Sequence, residues 1–170
     1  PILITNTSNN YGPWQFPEKL IPLTISKCLK KERIPIFGNG QQIRDWIFVN
    51  DHVDGILSVL ESGVIGEKYN IGSNNEKMNI EVVQDICGIL DKKIPYKNSY
   101  SNLIEFVDDR PGHDFRYALN SEKIKKIGWK PKYNWSNGLN ETIDWYINNQ
   151  DYLNRDSSMF YSGERLGSIK

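Results

Sequence analysis

Short apolar strand patterns alternate with amphipathic helical ones along most of this chain, and that alternation admits only a fold mixing the two, class α/β. Residues 1–6 open on Pro1-Ile2-Leu3-Ile4, a buried-strand pattern. A turn-rich loop follows at 7–13, and from Pro17 to Lys31 the apolar residues Leu20, Ile21, Leu23, Ile25, Cys28 and Leu29 recur at helical spacing. Ile34 to Phe37 and Ile43 to Val49 read as two strands joined like a hairpin through Gly38-Asn39-Gly40. Asn50 or Asp51 is placed to cap a helix to about Ser62, with Val53, Ile56, Leu57 and Leu60 expected on its buried stripe.

Farther on, Lys68 to Ile71 predicts a strand, and Asn79 stands at the cap position of a helix carrying Ile80, Val82, Val83, Ile86, Ile89 and Leu90. Ile104 to Val107 forms a strand before a charged loop. Ser121 caps a short helix to Ile127, and Trp135 to Asn148 reads as the last helix. We expect one small α/β domain over residues 1–150 and a tail, 151–170, that needs a partner surface to order.

Twenty-one basic side chains balance 21 acidic ones, so no broad field draws the chain to nucleic acid or to an anionic membrane, and neither is expected as a partner. No apolar run approaches the roughly eighteen residues of a membrane span, and there is no basic-then-apolar signal segment. Cys28 and Cys87 form no Cys-x-x-Cys pair and fall in amphipathic helices, as reduced buried thiols of a cytoplasmic protein would. The chain starts inside a strand pattern without Met, and we expect it to be cut from a longer protein.

Several chemistries lack their residues. No Gly-x-Gly-x-x-Gly or Gly-x-x-Gly-x-x-Gly turn is present to bring a pyrophosphate against backbone N–H groups. None of the nine tyrosines has Lys four positions on, the pairing that lowers a tyrosine's pKa for use as a base. His52 and His113 are the only histidines, no spacing suggests a metal, and no Gly-x-Ser-x-Gly occurs.

Three segments carry more polar groups than a packed core needs. Residues 8–20 set Asn9 and Asn10 at a strand end and Lys19 at a helix start; read alone, the loop is better explained as a plain turn. In Gln41-Gln42-Ile43-Arg44-Asp45-Trp46 an arginine interrupts a strand pattern, either as a surface residue or as a fork for phosphate. Asp108-Asp109-Arg110-Pro111-Gly112-His113-Asp114 is a dense charged loop, by itself an exposed turn. Together, two arginines, several amides and no acid/base machinery point to a binder of a diphosphate-linked ligand.

The same segments carry a resemblance. Ser8 to Pro13 with Phe16 to Pro22, Gln42 to Trp46, Tyr69 to Gly72 and Asp109 to Asp114 resemble, in order, the dTDP-glucose 4,6-dehydratases, which are extended short-chain dehydrogenase/reductases; the likeness covers about residues 1–150. It implies that Asn9, Lys19 and Leu20 contact dTDP-glucose, that Pro35, Ile36 and Phe37 flank its thymine and sugar, and that Arg44 and Arg110 hold its diphosphate. Asn79, Asp109, Pro111, Gly112 and His113 would complete the pocket, and Asn10 would lie against NAD.

The reaction so implied moves hydride from sugar C4 to NAD, loses water across C5 and C6, and returns the hydride to C6. The catalytic tyrosine, its lysine and an Asp-Glu pair would lie outside this chain, within a full-length homodimer. The chain would be the C-terminal substrate-binding part, carrying one strand of the Rossmann domain. A related epimerase or decarboxylase, or a stand-alone nucleotide-sugar-binding module, are the alternatives.

Overall fold

The computed structural model describes residues 1–109 and 111–154. In chain order the elements are β1 (Ile4–Thr7), β2 (Asn9–Tyr11), α1 (Leu20–Lys30), β3 (Ile34–Phe37), β4 (Ile43–Phe48), α2 (Val49–Ser62), β5 (Lys68–Ile71) and β6 (Glu76–Met78). There follow α3 (Asn79–Lys93), a 3-10 turn (Tyr100–Leu103), β7 (Ile104–Val107), β8 (Arg116–Tyr117), α4 (Glu122–Lys125), α5 (Trp135–Asn148) and α6 (Gln150–Asn154). The α/β class expected from the alternation is the one observed.

β4 is the hinge of the architecture. Its first residues lie between β6, antiparallel, and β8, parallel, while Trp46 to Phe48 pair in parallel with β2. Because strand side chains alternate, Trp46 and Phe48 enter a core with α1, α3 and α5, and Ile47 enters a second with Tyr69, Ile71, Val59, Ile124 and Trp129. One six-residue strand thereby joins two apolar clusters. α1 packs on α3 through Ile21, Ile25, Cys28, Val83 and Ile86 among others, all buried.

The expected hairpin does not form. β3 pairs in parallel with β7, and β4 takes three other partners. The helix that follows β6 explains why: its first amides reach into the β3–β4 turn, Ile80 N–H donating to the Gly40 carbonyl at 3.0 Å and Asn79 N–H to that of Gln42 at 3.0 Å. Those carbonyls are then unavailable to a hairpin ladder. Gly40 permits the approach with φ of +71°, since an added Cβ would stand 2.9 Å from Ile36 and 3.0 Å from Ile80.

Helix α2 is rotated relative to expectation. Val53, Ile56, Leu57 and Leu60 are exposed, and the buried side is Asp51, Gly55 and Val59. Gly55 is the cause: a Cβ there would come 2.8 Å from Ile71 and 3.3 Å from Trp129, so the helix lies closest to the sheet along its glycine. Neither Asn50 nor Asp51 caps the helix; Phe48 holds that position, and the Asp51 carboxylate instead accepts the backbone N–H groups of Lys132 at 2.9 Å and Tyr133 at 3.0 Å. In this way it ties the chain entering α5 to α2.

Smaller corrections have the same character. Asn79 is the first residue of α3, the cap being Met78, whose N–H donates to Glu81 at 2.7 Å. Ser121 precedes a helix of only four residues, where the Asn120 side chain accepts from Glu122 N–H. Strand β1 starts at Ile4 and runs to Thr7 rather than spanning 1–6. Leu153 of α6 is buried and the Tyr152 hydroxyl donates to the Trp14 carbonyl at 2.9 Å, so the packed body extends into the segment read as a tail; residues 155–170 lie outside the described ones. Cys28 and Cys87, 59 residues apart, meet with sulfurs 4.0 Å apart as free, buried thiols.

Candidate functional site

Gln42, Arg44, Asn79, Asp109 and His113 meet where β4, α3 and the loop after β7 come together. Asp109, two residues past β7, has both carboxylate oxygens engaged: Oδ2 accepts from Gln42 Nε2 at 2.8 Å, and Oδ1 lies 2.7 Å from His113 Nδ1. Gly38, with φ of +59°, makes room, because an added Cβ would stand 2.9 Å from Asp109 Oδ2. The loop then rejoins the sheet through Ile43 N–H donating to the Phe115 carbonyl at 2.7 Å.

Arg44 stands beside this loop. Its guanidinium donates to the Ile43 carbonyl at 2.7 Å and to the Asp114 carbonyl at 2.8 Å, which orients the group from the strand side. Asp45, next in the strand, faces the other way and is fully buried; its Oδ1 accepts Asn75 N–H at 2.7 Å and pins the β5–β6 connection. Across β4, Arg116 on β8 grips Glu76 on β6 with two bonds of 2.7 and 2.6 Å, and that fork holds the Glu76 carboxyl below the usual carboxylate range.

Asn79 joins the cluster through its N–H on Gln42. Asn9 pairs with Trp46 across β2 and β4, which sets it on the sheet face that Arg44, two residues earlier, also takes. Asn10 donates from Nδ2 to Thr7 Oγ1 at 3.0 Å, and its Oδ1 is buried with no protein partner among the described residues. Lys19 immediately precedes α1, and its ammonium bonds Glu18 at 2.5 Å; Leu20 packs half-buried on the main core.

On β3, period two divides the sequence-derived trio. Pro35 and Phe37 are half-buried on one side, whereas Ile36 is inside the core, so its side chain is spent on packing. Pro111 and Gly112 are exposed in the loop, Gly112 with φ of +69°; Arg110 lies outside the described residues. Sequence reasoning placed Gln42 in a motif and Gly38 in a turn but gave neither a role here, and missed the Arg116–Glu76 fork. Gln42 sits beside Arg44 in the sequence, but its partner is 67 residues away. Among the described residues no three His, Cys, Asp or Glu side chains are grouped to hold a metal ion, and no helix is long and apolar enough to cross a membrane.

A dTDP-glucose 4,6-dehydratase of Xanthomonas campestris pv. campestris is 48% identical over 171 residues, taking in 99% of this chain and 49% of that protein. The crystal structure of the Bacillus anthracis dTDP-glucose 4,6-dehydratase in complex with NAD superposes with a TM-score of 0.80 at 47% identity, over 89% of this chain and 46% of that one. The Streptomyces venezuelae dTDP-glucose 4,6-dehydratase with NAD and TYD bound gives a TM-score of 0.79 at 38% identity, over 88% and 45%. The chain thus spans about half the length of the curated relatives it matches. The family model described as GDP-mannose 4,6 dehydratase matches residues 1–142, and the chain belongs to that family.

Proposed function

We propose that these 170 residues are the substrate-binding part of a dTDP-glucose 4,6-dehydratase, a lyase that uses NAD to convert dTDP-glucose to the 4-keto-6-deoxy sugar nucleotide and water. One observation carries the reading: the Asp109–His113 loop, Gln42, Arg44 and Asn79, from separate stretches of sequence, are bonded into one cluster. Arg44 faces the diphosphate, with Arg110 as the second cation, and Asn9, Lys19 and Leu20 line the sugar side. Pro35 and Phe37 flank the thymine. Pro111, Gly112 and His113 close the pocket, with the Ile36 backbone beneath it.

The chemistry this chain supplies is orientation. The two carbonyls orient the Arg44 guanidinium, the group type that grips a phosphate, and a ligand so held reacts from a prepared geometry. The orphaned Asn10 Oδ1 is an acceptor suited to an amide N–H, which the nicotinamide of NAD carries, so the residue fits a cofactor contact. When bound, NAD supplies the hydride acceptor and donor. No tyrosine-lysine base pair is encoded here, so proton transfer belongs to the other half of the full-length protein, which we place in the cytoplasm as a homodimer.

Joining this chain behind the first half of an Escherichia coli relative, 48% identical to it, tests the reading. The folded hybrid, given dTDP-glucose and NAD, is expected to form the 4-keto-6-deoxy product, and the 170-residue chain alone to form none. A folded hybrid without turnover would contradict the assignment.

A further inference from the structure

The only two cysteines of the 170 residues, 59 positions apart, meet between α1 and α3. Cys28 and Cys87 are free, fully buried thiols with sulfurs 4.0 Å apart inside the main apolar cluster. A buried cysteine packs as a small apolar side chain, and packing alone gives two of them no reason to face each other. What a facing pair adds to packing is redox chemistry.

The pair is asymmetric. Its hydrogen bond, together with burial, pushes the Cys28 thiol up, while the same bond and a second from Ser101 hold the Cys87 thiol down against burial. Cys28 is therefore the donor, and Cys87 the sulfur that better carries negative charge. Ser101 is fixed beside it by Asp91, one turn farther along α3. The Asp91 carboxylate accepts the Ser99 hydroxyl at 2.7 Å and the Tyr100 N–H at 2.9 Å, at the head of the 3-10 turn. Ser101 is half-buried, so the bonded series Cys28, Cys87, Ser101 ends at the surface.

We propose that Cys28 and Cys87 form a thiol–disulfide site that a small hydroperoxide closes, latching α1 to α3. The Cys87 sulfur attacks a peroxide oxygen; the O–O bond breaks, Cys87 becomes a sulfenic acid, and its proton goes to the leaving oxygen, which departs as water when the peroxide is hydrogen peroxide. The Cys28 sulfur then attacks the Cys87 sulfur; the S–S bond forms, the S–O bond breaks, and the hydroxide leaves as a second water with the Cys28 proton. Two electrons pass from the thiols to one peroxide. A disulfide of about 2.05 Å asks the sulfurs to approach by about 2 Å, which rotation about the Cα–Cβ bonds supplies. The cross-link removes freedom from the unfolded chain, so the oxidised form is the more stable one, and a dithiol reopens it. In a reducing compartment such bonds are characteristically transient and redox-sensing.

Hydrogen peroxide added to the folded hybrid with the Escherichia coli half tests the site. Proteolysis and mass spectrometry are expected to find the peptides of Cys28 and Cys87 joined, two hydrogens lighter than their sum. The thermal midpoint is expected to rise by about 5 °C or more, to return on treatment with dithiothreitol, and not to rise in Cys28→Ala. Two surviving thiols, oxygen added at either cysteine without the cross-link, or a disulfide from either one to another cysteine overturns the proposal.

The order of attack is read from the single variants with dimedone, which labels sulfenic acids. Cys87 in Cys28→Ala is expected to take the label at least fivefold more than Cys28 in Cys87→Ala, and the reverse ratio overturns Cys87 as the attacking sulfur. If a variant does not fold, the joined peptide and the reversible midpoint of the unsubstituted hybrid decide. A hybrid that forms the cross-link yet makes no 4-keto-6-deoxy product sinks the dehydratase reading and still supports the latch.

Discussion

Gln42 and Asp109 are joined by a 2.8 Å hydrogen bond across 67 residues, and this contact holds the charged loop after β7 against the start of β4. Gln42 is buried, so its amide depends on that carboxylate. Replacing Asp109 with Ala strands the donor and frees His113, at an expected cost of about 1–3 kcal/mol. The Ile43 amide, bonded to the Phe115 carbonyl at the far end of the loop, is expected to exchange faster with solvent deuterium. Unchanged Ile43 protection would mean that the loop is held by other contacts.

Arg44 offers a test of the proposed grip on diphosphate. Lysine in its place keeps the charge and loses the fork, and the loss of one charge-assisted bond, about 1.5–3 kcal/mol, corresponds to roughly ten- to a hundredfold weaker binding of dTDP. Calorimetric titration of the folded hybrid and its Arg44→Lys variant measures it. Equal affinities would reduce Arg44 to a structural residue.

Asp51 is buried and accepts two backbone N–H groups, from Lys132 and Tyr133. Asp51→Asn leaves one of those donors facing an amide NH2, so urea unfolding should show a loss of about 1–3 kcal/mol. Because the carboxylate also lies in the first turn of α2, its loss removes a favourable interaction with the helix dipole. A stability equal to wild type would indicate that the entry to α5 is anchored elsewhere.

His52, half-buried on α2, has its pKa lowered by desolvation. The unfolded chain therefore binds the proton first as pH falls, so the stability associated with neutral His52 is complete above the ordinary value near 6.5 and declines below it. Its slope cannot exceed about 1.4 kcal/mol per pH unit. Thermal midpoints followed from about pH 7.5 to about pH 5.5 should decline less in His52→Gln than in the unsubstituted protein, and parallel curves would refute the assignment.

The sequence by itself determined where most elements lie. Strands Lys68–Ile71 and Ile104–Val107 and helix Trp135–Asn148 have the bounds that their periodicity predicts, because spacing along the chain is a local property. The candidate segments stood out for the same reason: a charged loop containing Pro111 and Gly112, and an arginine inside a strand, are visible without any partner.

Only the tertiary structure decided which surfaces meet. Val53, Ile56, Leu57 and Leu60 do share a helix face, as their spacing says, but periodicity cannot say whether that face or the Gly55 side approaches the sheet. β3 and β4 are adjacent in sequence, yet α3 takes the carbonyls between them and each strand finds a distant partner. The burial of the Ile36 side chain was not visible in its spacing, and Gln42 gained its role only when Asp109 reached it. Pairing and burial are contests among distant segments, and their outcome is set by which arrangement buries the most apolar surface while every backbone donor and acceptor keeps a partner.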